Sequence, residues 1–297
     1  MSDLLRGLRR RTRRLKKRLS KYWQRQTVHI TRWRDGDIAP DKPDYALVSY
    51  PKCGRTWVRF VMARALQYQH GYQTERYFLL TSRLYHHLTG KQLLVTHDAR
   101  SRRKGQVARR EEKAVFEGVS VVLLTRDIRD TLVSHYYHRI QQNRRRALTL
   151  SGFIQTPKLG IKGILRYYLG WYQAQDIPEN LILVRYEDLR HDTFTAMRQI
   201  ADSLGMADVS NDALQRAIVD GGFEKMRALE QAGKIEHRGM KLSSDPKDQQ
   251  ARRVRKGKVA GYMDELSPED LAYIDEQVTQ SGVPSDWVYA SAVESPA

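Results

Sequence analysis

Residues 45–66, "YALVSYPKCGRTWVRFVMARAL", decide how the chain is read. Residues 45–50 are apolar and strand-like, and a helical pattern begins near Thr56. Between them stand Pro51, Lys52, Cys53, Gly54 and Arg55. A turn that only reversed the chain would have no use for a lysine and a threonine at the mouth of a helix. An anion would. The first turn of a helix offers unpaired N–H groups and the positive end of its dipole. Gly54 permits close backbone approach, Lys52 adds a point charge and Thr56 a hydroxyl donor.

Beyond this segment, strand-like and helix-like stretches alternate. Strands are expected at 45–50, 92–96, 119–125 and 181–185. The third and fourth are nearly continuous Val, Leu and Ile runs, as in parallel strands covered on both faces. Helices are expected at 56–69, 129–143, 161–175, 192–204, 212–219 and 267–281. The last opens on Ser267 as cap and Pro268 as first helical residue. The alternation predicts an α/β fold with a mainly parallel central sheet flanked by helices, and the anion loop after its first strand makes it a single domain of P-loop type.

The chain has 297 residues, 40% of them hydrophobic, enough for a sizeable core. No run approaches the ~18 apolar residues of a membrane span. The basic N-terminus has no apolar stretch after it, which predicts no signal peptide. The single cysteine, Cys53, excludes an internal disulfide framework and a cysteine-rich metal site, and fits a cytoplasmic, reducing compartment. The net charge is +18, of which +11 lies in residues 1–35. There Leu4, Leu8, Leu15, Leu19 and Trp23 fall at helical spacing among arginines and lysines. This basic amphipathic arm packs on the domain, contacts an anionic membrane surface through residues 1–25, or meets a nucleic acid, the last less favoured. Residues 36–297 form the expected domain.

The phosphate loop is not the ATP/GTP loop. One glycine is present, Lys52 precedes it, and no aspartate on a neighbouring strand stands ready for magnesium. A phosphate-like group held by fixed cations, with no metal, fits better. "YPKCGRTW" resembles the corresponding loop of the cytosolic-type sulfotransferases, which bind 3′-phosphoadenosine 5′-phosphosulfate (PAPS) as sulfuryl donor. Three further segments agree, and together they span roughly residues 43–270. "LLTRDIRDTLVSHYYHR" resembles the motif whose arginine and serine hold the 3′-phosphate, implying Arg126 and Ser134. "RYEDL" implies Tyr186 as a nucleotide contact. "RKG" implies Arg255, Lys256 and Gly257 over the 3′-phosphate. The loop itself implies Lys52, Cys53, Gly54, Arg55 and Thr56, and Trp57 and Phe223 match the aromatics about the adenine.

Sulfuryl transfer needs a base for the acceptor and a cation near the leaving phosphate. "VTH" matches the family's base segment, so His97 is the expected base and Lys52 the expected catalytic cation. His135 and His138 also lie near the nucleotide segment. Several departures stand out: Val95 replaces a family lysine, Arg55 a threonine, and Gly221 and Gly222 replace hydroxyl residues before Phe223. Cys53 replaces a serine. Either it is a buried thiol, or the cations beside it lower its pKa. The acceptor, a small molecule, glycan or lipid, should be lined by residues 138–172 and the loop 98–113, whose basic and aromatic mixture suits a sugar or lipid-linked hydroxyl. The rival readings are a nucleotide kinase of the same fold and a basic nucleic-acid-binding protein. The kinase would need the Gly-Lys-Ser/Thr order and a magnesium ligand, neither of which is found, and the nucleic-acid-binding reading does not explain Lys52, His97 and Arg126 at strand ends.

Overall fold

Four parallel strands organise the computed structural model, which describes residues 42–72, 77–98, 110–143, 148–236 and 258–290. In chain order, β1 (Tyr45–Ser49) leads into α1 (Arg55–Gln69). Next come β2 (Tyr77–Phe78), α2 (Ser82–Thr89) and β3 (Leu93–Thr96). A 3-10 segment, Arg110–Phe116, precedes β4 (Ser120–Thr125) and α3 (Ile128–Asn143). After α4 (Leu150–Ile154) and α5 (Ile161–Tyr172) the chain forms β5 (Asn180–Arg185). Helices α6 (Tyr186–His191), α7 (Thr193–Ser203), α8 (Asn211–Asp220) and α9 (Phe223–Gln231) follow, then β6 (Ile235–Glu236). The 3-10 turn Gly261–Asp264, α10 (Pro268–Ser281) and α11 (Ser285–Val288) complete the described chain.

The sheet order is β3-β1-β4-β5, all parallel. Val48 stands opposite Thr96, Ser49 opposite Leu124, and Thr125 opposite Arg185. This register brings four carboxyl ends to one rim. The strand order reverses between β1 and β4, the place where open α/β sheets bind ligands. Residues Ala46–Val48 and Val121–Leu124 are fully buried, as their uninterrupted apolar runs require. Helix α1 buries Val58 and Phe60–Ala63, and α8 packs on it.

The four expected strands and six expected helices are present to within three residues at their ends. Ser267 accepts from the Asp270 N–H at 3.2 Å, with Pro268 in the first turn. Sequence reading omitted α2, α4, α6, α9, α11 and the small parallel β2–β6 sheet. All are short, with nine residues at most, too few turns for a periodic signal to separate helix from loop. The arm, residues 1–35, lies outside the described residues. So do Arg255, Lys256 and Gly257.

Candidate active site

The turn after β1 is built from left-handed backbone. Lys52 has φ 78° and Gly54 φ 82°. Gly54 caps α1 with no side-chain cap hydrogen bond. A Cβ at Gly54 would lie 2.8 Å from Tyr186 Cδ2, so glycine is required by the dihedral and by the approach of that ring.

The shared rim does the rest. Lys52 follows β1, His97 follows β3, Arg126 follows β4 and Tyr186 follows β5. All four line one crevice of about 240 Å³, together with Gly54, Arg55, Thr56, Trp57, Ser134 and Phe223. Cys53 does not line it. Its side chain is fully buried beneath the turn, 3.5 Å from the Tyr168 hydroxyl. Burial pushes the thiol up to about 11, against the opposing pull of Tyr168 and Arg126. Of the two readings of Cys53, the buried thiol is the one present, and only its backbone is available to the turn.

His97 is oriented by β1. Its Nδ1 lies 2.9 Å from the Ser49 carbonyl oxygen and 3.4 Å from Ser49 Oγ. A carbonyl only accepts, so Nδ1 carries the proton of that bond and the lone pair of the neutral ring sits on Nε2. Of the other two histidines near the nucleotide segment, His138 lines the crevice. His135 faces the core instead, 1% exposed, edge-on to Tyr50 and Phe153.

Arg126 sits 4.4 Å over the Tyr186 ring and donates to the Lys52 carbonyl at 3.4 Å. Its Nη2 donates to Asp130 Oδ2 and to the Lys258 carbonyl, each at 3.2 Å. The guanidinium is therefore fixed on one edge, while its buried Nε has no hydrogen-bond partner among the described residues. Asp130 accepts from the Tyr262 N–H at 2.9 Å, which ties the Gly261–Asp264 turn to the same cluster. Burial holds the Asp130 carboxyl above its usual range, with Arg126 opposing.

Sequence reading missed Asp130, Arg190 and Lys258, all of which line the crevice. The signal for Asp130 was its spacing: Asp130, Ser134 and His138 recur every fourth residue, on one face of α3. Arg190 likewise stands four residues after Tyr186 on α6. Trp57 meets the Tyr186 ring edge-on at 6.2 Å, and Arg190 lies 5.9 Å over the Trp57 ring. The buried Trp57 Nε1 has no partner among the described residues. Together, a cap-free helix start, fixed cations and an aromatic wall fit a phosphorylated nucleoside. Among the described residues no three His, Cys, Asp or Glu side chains gather to hold a metal, and no helix is long and apolar enough to cross a membrane.

A family model described as "Sulfotransferase domain" matches residues 42–282, and the chain belongs to this family. It is similar to luciferin sulfotransferase of Photinus pyralis, 28% identical over 54% of this chain and 44% of that one. It is also similar to flavonol 3-sulfotransferase of Flaveria bidentis, 24% identical over 81% and 83%. The match spans about half the length of the first curated relatives. The fold resembles that of a mouse sulfotransferase crystallised with PAP. The TM-score is 0.56 at 19% identity, over 86% of this chain and 88% of that one.

Proposed function

We propose that the chain transfers the sulfuryl group of PAPS to the hydroxyl of an acceptor, with His97 as base. One observation carries the reading: Lys52, His97, Arg126 and Tyr186 converge from four strand ends on one crevice, with His97 Nδ1 held by the Ser49 carbonyl. PAPS supplies an activated sulfuryl group on a phosphate leaving group. His97 Nε2 takes the acceptor's proton as the hydroxyl attacks. Lys52 and the N-terminus of α1 stabilise charge developing on the leaving oxygen, as in phosphoryl transfer. Arg126, oriented by Asp130, and Ser134 hold the 3′-phosphate, with Arg255, Lys256 and Gly257 assigned to it by resemblance. Trp57, Tyr186 and Phe223 form the wall for the adenine.

Because fixed cations supply the charge, transfer is expected to need no metal. The acceptor is read as a small-molecule hydroxyl, in keeping with the luciferin and flavonol named for two relatives. The glycan or lipid-linked hydroxyl expected from sequence rests largely on residues 99–109 and 140–147, whose side chains lie outside the described set. A cytoplasmic location follows the naming of a relative as cytosolic sulfotransferase 14 of Arabidopsis thaliana.

The test is a thermal shift with adenosine 3′,5′-bisphosphate, ATP–Mg and duplex DNA, paired with turnover of His97→Gln. Stabilisation by the bisphosphate alone, with transfer from PAPS reduced at least ~10²-fold in the variant, is the expected outcome. ATP–Mg as the better ligand would select the kinase, and near-normal turnover would remove His97 as base. The arm is proposed as a peripheral contact with anionic lipid. Deleting residues 1–35 should lower sedimentation with phosphatidylserine vesicles at low salt, and unchanged sedimentation would oppose it.

A further inference from the structure

Lys113 is fully buried and ion-paired to Asp98, the residue that follows the proposed base. Its ammonium lies 4.3 Å over the Trp171 ring and 5.7 Å over Tyr167, both on α5. Asp98 itself is only 9% exposed and has φ 51°, a left-handed conformation that aspartate tolerates better than most residues. Its N–H donates to Thr96 Oγ1 at 2.9 Å, closing a tight turn around His97. Neither Lys113 nor Asp98 lines the crevice.

The contacts form a closed ring around the base. Tyr167, under Lys113, meets Tyr50 edge-on at 5.3 Å. Tyr50 follows Ser49, whose carbonyl holds His97 Nδ1. The imidazole is thus fixed from two sides, through β1 by a hydrogen bond and through its own backbone by the ion pair. A buried ion pair is a poor way to gain stability, since well-packed apolar residues of similar volume generally do as well or better. In some proteins such a pair instead specifies one conformation.

We propose that Asp98 and Lys113 are positioning residues, which lock the turn after β3 so that His97 presents Nε2 to the acceptor. This rests on His97 being the base. The test uses the full chain and three variants: Asp98→Asn, Lys113→Met and the double variant. Asparagine keeps the left-handed preference of Asp98 and removes only its charge. At pH 6, below the value of about 7 to which burial lowers the Lys113 ammonium, each single variant leaves a buried charge unpaired and should melt lower, whereas the double variant should regain most of the loss.

A merely structural pair would restore the site together with the melting temperature. A positioning pair would not. The readout is therefore the His97 ring tautomer, by long-range nitrogen–proton NMR with adenosine 3′,5′-bisphosphate bound, together with sulfate release from PAPS into water. Wild type should show the Nδ1–H form. Asp98→Asn and the double variant should both show a mixture with Nε2–H, with kcat at least tenfold lower and bisphosphate Kd within twofold. Retention of the Nδ1–H form and of kcat in the double variant would overturn the proposal. Undiminished sulfate release in His97→Gln would instead overturn the base assignment, leaving the tautomer result to decide the ring's orientation separately. Should Asp98→Asn not fold, the double variant, free of unpaired charge, carries the same readouts.

Discussion

Cys53 sits one residue from the proposed catalytic cation, yet burial governs its chemistry. Its thiol is pushed up from near 9.0 to about 11, chiefly by loss of solvent. An acid raised in this way keeps its proton in the folded chain while the unfolded chain gives it up. Its contribution to stability is therefore whole below pH 9 and fades as pH climbs through 9 towards 11. Two outcomes are expected. Iodoacetamide at pH 8 should label native protein no faster than the chain unfolds, and Cys53→Ala should flatten the loss of stability between pH 9 and 11. Rapid stoichiometric labelling of folded protein would contradict this. The sequence offered both environments for the thiol, because a helix start beside Lys52 and Arg55 lowers a pKa and burial raises it. Which one wins depends on where the turn aims Cβ, and that is set by the left-handed Lys52 and Gly54 on either side.

Among the elements, the junction of α8 and α9 is fitted closely to α1. A Cβ on Gly221 would fall 2.6 Å from Val61 Cγ2 and 3.3 Å from Trp57 Nε1. Gly221→Ala should overpack this seam and cost about 1–3 kcal/mol in a denaturant titration. Adding Val61→Ala should recover part of the loss, with a coupling of at least ~0.5 kcal/mol. Simple additivity of the two losses would mean that the seam relaxes freely. Gly221 was read from sequence only as a lost hydroxyl. The structure adds a reason for glycine that is steric and belongs to α1.

The same contrast describes the site as a whole. Lys52, His97 and Arg126 could be placed at the crevice from sequence because each follows an apolar strand, and the carboxyl ends of parallel strands face the ligand crevice, whereas Tyr186 was assigned by resemblance alone. Asp130 and Arg190 carried only a spacing signal, and with Lys258 their place at the crevice depends on how α3, α6 and the turn at Gly261 pack around Arg126. The pairing of Asp98 with Lys113 was equally hidden. Nothing local links two residues fifteen positions apart, and their pairing depends on how Lys113 packs against Trp171 and Tyr167 of α5.

At the scale of the whole molecule, a ligand that binds only the folded crevice stabilises every element at once. Adenosine 3′,5′-bisphosphate at ~100 times its Kd should add about 2.7 kcal/mol. Removing the guanidinium in Arg126→Ala should cost on the order of 1.5–3 kcal/mol of that affinity. Calorimetry showing equal affinity in wild type and Arg126→Ala would remove Arg126 from the phosphate site. The crevice also has a history in time. Its rim is assembled from strands that begin at Tyr45, Leu93, Ser120 and Asn180 and pair across long stretches of chain. Such non-local pairing is slow to form. A nascent chain on the ribosome that has not yet released β5 lacks Tyr186 and the strand that sets it beside Arg126. Nucleotide capture during refolding should therefore lag helix formation and coincide with the docking of β5 on β4, so that binding competence serves as a clock for completion of the central sheet.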